Sequence, residues 1–557
     1  MDKLRGNRWV SLGILTIGFL MILIDTTIVN VSIPTLIKEL GASLTDVEWI
    51  ISGYALSFAA LLITFGRLAD MYGRRNFFLL GLLVFAVASY FAGHASTAHT
   101  LIGMRFLQGI GGAMISPSSL SIISATFKGR ERATAFGIWG ATAGIAVALG
   151  PVLGGYFTTY QTWRDIFYVN IPIAIVGIIL GYLIIPESRI SGKERLDIAG
   201  MLTSALGFLF LVFALIEGQN YGWITPHNPF IVFGHTWNNT HASVIPLLVA
   251  VGIGFLLWFA VIQEAKTRKG LEPAVNIALF QSRAFSIGLI TISVIALGEF
   301  SSLFTLPIYL QSVKGYTPLH SGYATLPLAF GAMFAAPLSA KLVNRLGTKW
   351  VITTGICLET VGLLLLSLIR VNSSYTQIWP ALLCLGVGIG LAISQNTQAT
   401  LSEIPPAQAG SASGVLNTVR QLGSALGIAV IGAVLAHQVS VNIAQPVQAI
   451  SGLSTTAKSQ IIANAGENSI SSSSTATMSL PLPPSSVTAN PQALEIFKAK
   501  ELLLGSQIKA AVDQTITKSI GQSIRFGSIF LLLGALLSLR MPNIKHEEDE
   551  AVIAAGH

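Results

Sequence analysis

The stretch "GRLADMYGRRNF" at residues 66–77 returns in altered form as "AKLVNRLGTKWV" at residues 340–351. Four positions align at one constant offset: Leu68 with Leu342, Asp70 with Asn344, Gly73 with Gly347 and Arg75 with Lys349. Three glycines align at a slightly larger offset: Gly137 with Gly414, Gly150 with Gly427 and Gly155 with Gly432. Self-similarity over such a distance predicts two related halves in one chain.

The composition predicts an all-α integral membrane protein. Of 557 residues, 52% are hydrophobic and 10% are charged, whereas soluble domains carry about 25% charged residues. A bilayer core of about 30 Å is crossed by about 20 apolar residues in a helix. Windows of that length predict fourteen spans, near 10–34, 47–69, 76–95, 100–124, 134–158, 166–186, 197–217, 243–264, 283–311, 319–341, 350–370, 376–400, 411–437 and 519–540.

The basic residues predict the topology. The net charge of +8 comes from short clusters of Lys and Arg between apolar runs, a pattern typical of membrane topology and not of nucleic-acid binding. These clusters fall in alternate loops, so both termini are expected to lie in the cytoplasm. The expected location is the cell membrane (inner or plasma membrane), which the chain crosses several times. Cys357 and Cys384 lie in apolar runs and predict no disulfide framework.

The spans divide the chain into four parts. We expect an N-terminal six-helix half at 10–186, two linking helices at 187–264, a C-terminal six-helix half at 283–540, and a cytoplasmic tail at 541–557. An external loop at 438–518 lies within the C-terminal half. Its Ser/Pro tract is expected to be flexible, and the stretch "NPQALEIFKAKELLLGSQIKAAVDQTI" is expected to form a short amphipathic helix, which lies on the membrane or contacts an external (periplasmic or extracellular) adaptor.

Six motifs carry a family resemblance. "GRLADMYGRR" resembles the loop motif between helices 2 and 3 of the major facilitator superfamily. Five more stretches resemble motifs of its fourteen-helix drug–proton antiporters, the EmrB/QacA type: "LIDTTIVNVSIPTL", "RFLQGIGGAMISP", "GIWGATAGIAVALGPVLGG", "WRDIFYVNIPI" and "GSASGVLNTVRQLGSALGIAV". The resemblance implies two pseudo-symmetric six-helix halves plus two extra helices, and proton-coupled multidrug efflux of amphipathic, often cationic compounds by alternating access. In such duplicated transporters the substrate site lies between the halves.

The 66–77 motif is expected to act as a conformational hinge. Gly66 and Gly73 permit a tight turn, while Asp70, Arg74 and Arg75 pair with one another or with the end of a neighbouring helix. The resemblance implies a latch that holds one conformation closed. Ordinary positive-inside charge is the alternative for the two arginines.

The fifth helix is expected to be a packed but bendable gate. Small residues let helices approach closely, and a proline kinks a helix. The gating residues implied by the resemblance are Gly144, Gly150, Pro151, Gly154 and Gly155. Plain close packing is the alternative interpretation.

Two acids in apolar runs are candidates for proton coupling. Asp25 lies in "MILIDTTIVN", and Glu299 follows it at the same offset that relates Gly73 to Gly347. An ionisable residue inside a membrane helix is a functional hypothesis by default, which adds Arg105 to this group. Helix depth places all three in one layer of the membrane. The alternatives are a structural Asp25, tied to a neighbour through Thr26, Thr27 or Asn30, and an Arg105 that reaches the near surface.

Further side chains are candidates for lining the substrate cavity. Glu299 has no arginine on its own helix, so it is expected to meet a cationic substrate. The remaining cavity candidates are Asn30, Tyr54, Gln108, Phe304, Glu359 and Arg420. For Arg420 a structural partnership with a carbonyl or carboxylate is the equal alternative, and for the aromatic residues it is anchoring at the membrane interface.

The sequence does not resemble an enzyme. It has no nucleotide-binding P-loop, no nucleophile elbow and no zinc-ligand spacing. We therefore expect no cofactor and no metal, with the proton gradient as energy source. The expected partners are protons, a small amphipathic substrate and the lipid bilayer. The alternatives are an exporter or flippase of a lipid or single metabolite on the same fold, and a non-transporting sensor or scaffold.

Overall fold

The computed structural model describes residues 7–127, 129–188, 197–232, 235–237, 242–269, 271, 273, 275–404, 409–468 and 491–543. Within these ranges some side chains, including that of Asp70, lie outside the description. The fold is helical, as expected, apart from one short β-ribbon in the linking segment.

The N-terminal half begins with a capped helix. The Asn7 side chain accepts hydrogen bonds from the N–H groups of Trp9 and Val10, and the helix ends at Gly41 with a left-handed φ of 61°, a common C-terminal cap. The helices of this half are α1 (Arg8–Leu40), α2 (Leu44–Tyr72), α3 (Arg74–Gly93), α4 (Ala98–Thr126), α5 (Gly129–Tyr160), α6 (Asp165–Tyr168) and α7 (Asn170–Ile184).

Two linking helices follow, α8 (Ile198–Tyr221) and α9 (Ile245–Arg268), with the ribbon β1 (Phe230–Val232) and β2 (His235–Trp237) between them. Asp197 caps α8 through the Gly200 N–H and ties it to α9, because it accepts from Gln263 Nε2 at 2.5 Å and pairs with Lys266 Nζ at 2.6 Å. Burial alone raises the pKa of Asp197, but the hydrogen bonds from Lys266, Gln263 and Gly200, with the Lys266 charge, lower it below its usual value.

The C-terminal half repeats the pattern after a 3-10 turn at Ile277–Gln281. Helix α10 (Arg283–Ile308) continues into a π-helical turn at Tyr309–Val313. The remaining helices are α11 (Pro318–Ala324), α12 (Leu326–Leu346), α13 (Thr348–Leu366), α14 (Tyr375–Leu401), α15 (Ala409–Asn442), α16 (Ala444–Gln448), α17 (Thr455–Asn468) and α18 (Pro491–Ser538).

Twelve helical segments in the described ranges are long and apolar enough to cross a membrane. Helices α2 and α5 are not among those twelve, although they coincide with two more of the spans predicted from sequence. The count of fourteen spans therefore remains a prediction.

The external loop differs from the expected short docking helix. The amphipathic stretch and the last span form one continuous helix of 48 residues, α18. Leu504, Ile508 and Val512 on this helix are buried in the same apolar core as the C-terminal half, which explains why the stretch packs on that half as a continuation of the last span. Residues 469–490, which include the Ser/Pro tract, lie outside the described residues.

The two copies of the 66–77 motif occupy equivalent places. Gly73 begins α3 with a φ of 120°, and Gly347 begins α13 with a φ of 86°, a region that favours glycine. The segment after the last helix of each half packs against that glycine: Glu187 against Gly73, and Asn543 against Gly347. The duplication seen in the sequence is therefore present in the packing.

Candidate functional site

Asp25 is the centre of a buried polar network in the N-terminal half. Its carboxylate is fully buried and pairs with Arg105 Nη1. Its Oδ1 accepts from Gln108 Nε2 at 3.1 Å and from Asn170 Nδ2 at 2.8 Å. Helices α1, α4 and α7 therefore meet at one carboxylate, and Ser89 of α3 joins by accepting from Gln108 at 2.9 Å.

Arg105 faces this network and not the membrane surface. Its side chain is fully buried, its Nε donates to the Ile50 carbonyl at 2.9 Å, and its guanidinium carbon lies 4.5 Å from the centre of the Tyr54 ring. A desolvated guanidinium over an aromatic face is a favourable arrangement. The alternative in which Arg105 reaches the near surface does not describe this structure.

The hydroxyl groups beside Asp25 have other partners. Thr26 donates to the Ile22 carbonyl of its own helix, and Thr27 donates to the Ala146 carbonyl of α5 at 3.1 Å. Asn30 is buried, and its Nδ2 has no partner among the described residues. Thr27, and not Asp25, is thus the residue that ties α1 to α5.

Glu299 pairs with an arginine from another helix. Its Oε2 lies 3.9 Å from Arg420 Nη2 of α15. The sequence of α10 alone does not show this arginine, because it lies on another helix; the pairing is the carboxylate partnership considered for Arg420. Arg105 contacts Asp25, so the charged groups form two separate pairs, one in each half, and not one cluster around Arg105.

The cavity candidates differ in exposure. The Arg420 side chain is 32% exposed, while that of Glu299 is 6% exposed. Tyr54, Gln108, Phe304 and Glu359 are buried within their own halves. In this conformation Arg420 is thus the most exposed of these candidates, and the aromatic candidates Tyr54 and Phe304 are core residues.

The hinge residues contact the end of the N-terminal half. Glu187, just after α7, accepts from the N–H groups of Arg75 and Asn76 at 3.1 and 3.2 Å, so its carboxylate caps α3. Arg74 Nη1 donates to the Ser121 carbonyl at 3.4 Å. A Cβ at Gly66 would lie 3.3 Å from Pro117, so this glycine is a close contact between α2 and α4. The Asp70 side chain lies outside the described residues.

The fifth helix packs closely on both halves. A Cβ at Gly150 would lie 2.7 Å from Thr27 Cβ, and one at Gly154 would lie 3.0 Å from Ile28 Cγ1, both on α1. A Cβ at Gly155 would lie 2.6 Å from Leu319 Cα on α11. The surroundings of Gly144 are outside the described part of the chain.

Two glycine contacts join the halves at their ends far from the N-terminus. A Cβ at Gly322 of α11 would lie 2.9 Å from the carbonyl carbon of Pro151 on α5. A Cβ at Gly432 of α15 would lie 2.5 Å from the Glu48 carboxyl carbon on α2. We call this interface between the halves the seam. It also contains hydrogen bonds from Gln311 Nε2 to the Val31 carbonyl at 2.6 Å and from the Leu319 N–H to Thr159 Oγ1 at 2.9 Å.

Sequence reasoning missed three residues of these sites. Asn170 and Ser89 belong to the Asp25 network, and Glu187 caps α3. Asn170 had a usable signal, since it is a polar residue that opens a strongly apolar run in "WRDIFYVNIPI". Glu187 lies in a short polar stretch like many others, so its role required the tertiary structure.

Comparisons with known proteins agree with this architecture. A sequence model described as Major Facilitator Superfamily matches residues 15–428. The multidrug resistance protein Stp of Mycobacterium tuberculosis is 32% identical over 425 residues, 76% of this chain and 75% of that protein. The tetracenomycin C resistance and export protein of Streptomyces glaucescens is 30% identical over 439 residues, 78% of this chain and 77% of that protein.

One solved structure shares the fold over nearly the whole chain. It is a crystal structure of a bacterial homolog of the human lysosomal transporter Spinster, in an inward-facing and unoccupied conformation. The TM-score is 0.57, with 96% of this chain and 98% of that chain covered. At 15% sequence identity, this likeness concerns the fold alone.

Proposed function

Since this chain belongs to the Major Facilitator Superfamily, we propose that it is a proton-coupled antiporter that exports amphipathic, often cationic drugs by alternating access. The family is one of multi-pass membrane transporters and not of enzymes. The relatives named for multidrug resistance and for tetracenomycin C resistance and export support drugs as the substrate class. The proposed location is the cell membrane, with both termini in the cytoplasm.

The observation that carries the proposal is the ion pair between Glu299 and Arg420. Both groups lie on helices of the C-terminal half, and Arg420 is partly exposed. A cationic substrate that enters would compete with Arg420 for the Glu299 carboxylate, and so would a proton. Competition of proton and substrate for one carboxylate couples their movements in opposite directions.

The Asp25 network has a different character. Three donors from neighbouring helices surround the carboxylate, so its hydrogen-bonding capacity is already used within the bundle. We therefore assign the exchangeable proton to Glu299, and assign Asp25 and Arg105 a positioning role between α1 and α4.

The seam between the halves supports alternating access. It closes the ends of α5 and α11 that lie far from the N-terminus. With both termini in the cytoplasm these are the outer ends, so this conformation is closed to the outside.

The test uses purified protein in proteoliposomes with an imposed pH gradient and ethidium as the probe. Wild-type protein should exchange ethidium for protons. Glu299→Gln should lose accumulation driven by the gradient while downhill ethidium movement continues. Gln377→Ala, an exposed amide outside the site, is the matched control and should behave as wild type.

Two outcomes would contradict the proposal. Unchanged proton coupling in Glu299→Gln would remove Glu299 from the coupling step. Movement of a fluorescent lipid, with no movement of ethidium in the wild-type protein, would favour a flippase on the same fold.

A further inference from the structure

Glu359 of α13 is a buried carboxyl that the proposed transport step does not use. Its side chain is fully buried, and neither carboxyl oxygen has a hydrogen-bond partner among the described residues. An ionised carboxylate in such a place is very costly, whereas the neutral acid is tolerated. A buried polar group without partners in a native fold calls for an explanation.

The internal repeat shows that packing does not require an acid here. Phe85 of α3 lies at the equivalent position, by the same offset that relates Gly73 to Gly347, and is also fully buried. The surrounding glycines are equivalent too: Gly111 faces Gly81 and Phe85, and Gly388 faces Gly355 and Glu359. One half therefore fills this place with an aromatic ring, and the other fills it with a carboxyl.

A second acid lies on a helix that packs against α13. Glu299 of α10 is buried in the same half as Glu359. Helix α14 contains no charged residue, and its titratable neighbour is Cys384, whose Sγ donates to the Leu358 carbonyl at 3.4 Å.

The cations on the other neighbouring helices are farther along α13. From α18, Arg525 Nε lies 3.3 Å from Ser367 Oγ, two helical turns from Glu359. On α12, Lys341 and Arg345 lie in the last two turns, next to the opposite end of α13. Among the described residues, the ion pair that involves either carboxyl is the one between Arg420 and Glu299.

We propose that Glu359 is a proton-binding residue that forms, with Glu299, a carboxyl pair holding one proton while Arg420 lies beside it. Glu359 carries that proton, since Glu299 has the cation. When Arg420 withdraws, Glu299 loses its counter-charge and binds a second proton from water, because two neighbouring carboxylates do not both stay ionised without a cation. The role in transport rests on the proposed function, but the protonation of Glu359 does not.

The test is infrared difference spectroscopy of the purified full-length protein, following the stretching band of protonated carboxyl groups and its shift in heavy water. The wild-type protein at neutral pH should show this band, and Glu359→Gln should lose the part of its intensity that comes from Glu359, while other buried carboxyls such as Glu48 keep theirs. Asp25→Asn is the matched control, because it also removes a buried carboxyl but one that three donors surround, and it should keep the band. A band that is unchanged in Glu359→Gln would overturn the proposal.

A second variant guards against misfolding. Glu359→Phe introduces the aromatic residue of the N-terminal half, and it should fold and show the same loss of band intensity. A folded Glu359→Phe protein that retains the full band would equally overturn the proposal.

The spectra need no drug, so they separate this proposal from the proposed function. Loss of the band, in a protein that moves no ethidium, would leave the Glu359 assignment standing and would refute only the efflux assignment. If the band is unchanged in Glu359→Gln while the wild-type protein exchanges ethidium for protons, the Glu359 assignment is refuted and the efflux assignment stands.

Discussion

At the scale of single residues, the Asp25 network shows how a charge is accommodated inside an apolar bundle. The carboxylate and the Arg105 guanidinium are both withdrawn from solvent, and a buried pair is stable only when its remaining hydrogen-bonding capacity is satisfied. Gln108 and Asn170 supply that capacity for Asp25. Removing one member of such a pair costs about 3–5 kcal/mol. The two amides hydrogen-bond to the carboxylate of this pair, so they are part of the site.

We predict that Asn170→Ala lowers the free energy of unfolding by about 1–3 kcal/mol, because a buried acceptor loses its donor. The measurement is unfolding of the purified protein in detergent by added sodium dodecyl sulfate. The control is Gln377→Ala, an exposed amide-to-alanine change, which should stay within about 0.5 kcal/mol of wild type. Equal stability of the two variants would mean that Asn170 does not support Asp25.

The sequence indicated Asp25, Arg105 and Glu299 because charge in an apolar run is conspicuous. It did not indicate which charges meet. Arg420 and Glu299 lie on α15 and α10, and Arg105 and Asp25 lie on α4 and α1. Such partnerships depend on how helices pack, which the periodicity of one helix does not report.

At the scale of elements, the contact between α5 and α11 is the tightest part of the seam. A Cβ at Gly155 would approach main-chain atoms of Pro318 and Leu319, including the Pro318 carbonyl oxygen at 2.6 Å. Main-chain atoms of a helix move aside less readily than a flexible side chain. A single methyl group at this position must therefore push the two helices apart.

We predict that Gly155→Ala shifts the protein away from the conformation that is closed at this seam, with a cost of about 1–3 kcal/mol for overpacking. The measurement uses spin labels at Tyr160 and His320, two exposed positions beside the seam, in a protein whose Cys357 and Cys384 are replaced. In Gly155→Ala, the distribution of distances between the two labels should contain a larger fraction of long distances. Gly254→Ala is the control, because nothing lies within 4 Å of its added methyl group. An unchanged distance distribution in Gly155→Ala would contradict the prediction.

Element types were largely predictable, while element ends were not. Apolar windows and turn glycines predicted helices where the structure has them, for example on both sides of Gly73 and Gly347. The length of α18 was not foreseen, because the amphipathic stretch before the last span predicts a short, separate helix. The burial of Leu504 and Ile508 in the C-terminal core joins that stretch to the span, and such burial is a tertiary effect.

At the scale of the whole molecule, the two halves share a plan but not their electrostatics. In the N-terminal half three donors surround Asp25, whereas in the C-terminal half Glu299 pairs with Arg420 and Glu359 has no hydrogen-bond partner among the described residues. The repeat in the sequence predicts the shared plan, since it preserves the glycines. The asymmetry comes from substitutions at a few positions, such as Phe85 and Glu359.

We predict that Ser459, on α17, lies outside the cell, and that Tyr72, between α2 and α3, lies inside, because basic loops stay in the cytoplasm. Both residues are exposed. In a background without Cys357 and Cys384, a membrane-impermeant maleimide should label Ser459→Cys in intact cells. It should label Tyr72→Cys only after the membrane is permeabilised, and the opposite pattern would invert the topology.

The long helix α18 gives the C-terminal half a lever arm. Its 48 residues extend over about 72 Å, more than twice the thickness of a bilayer core of about 30 Å. Because its outer part shares the core of that half, any tilt of the half is magnified at the tip. If both termini lie in the cytoplasm, as proposed, a dye attached at this tip would report each turnover of the transporter as an optical signal outside the cell.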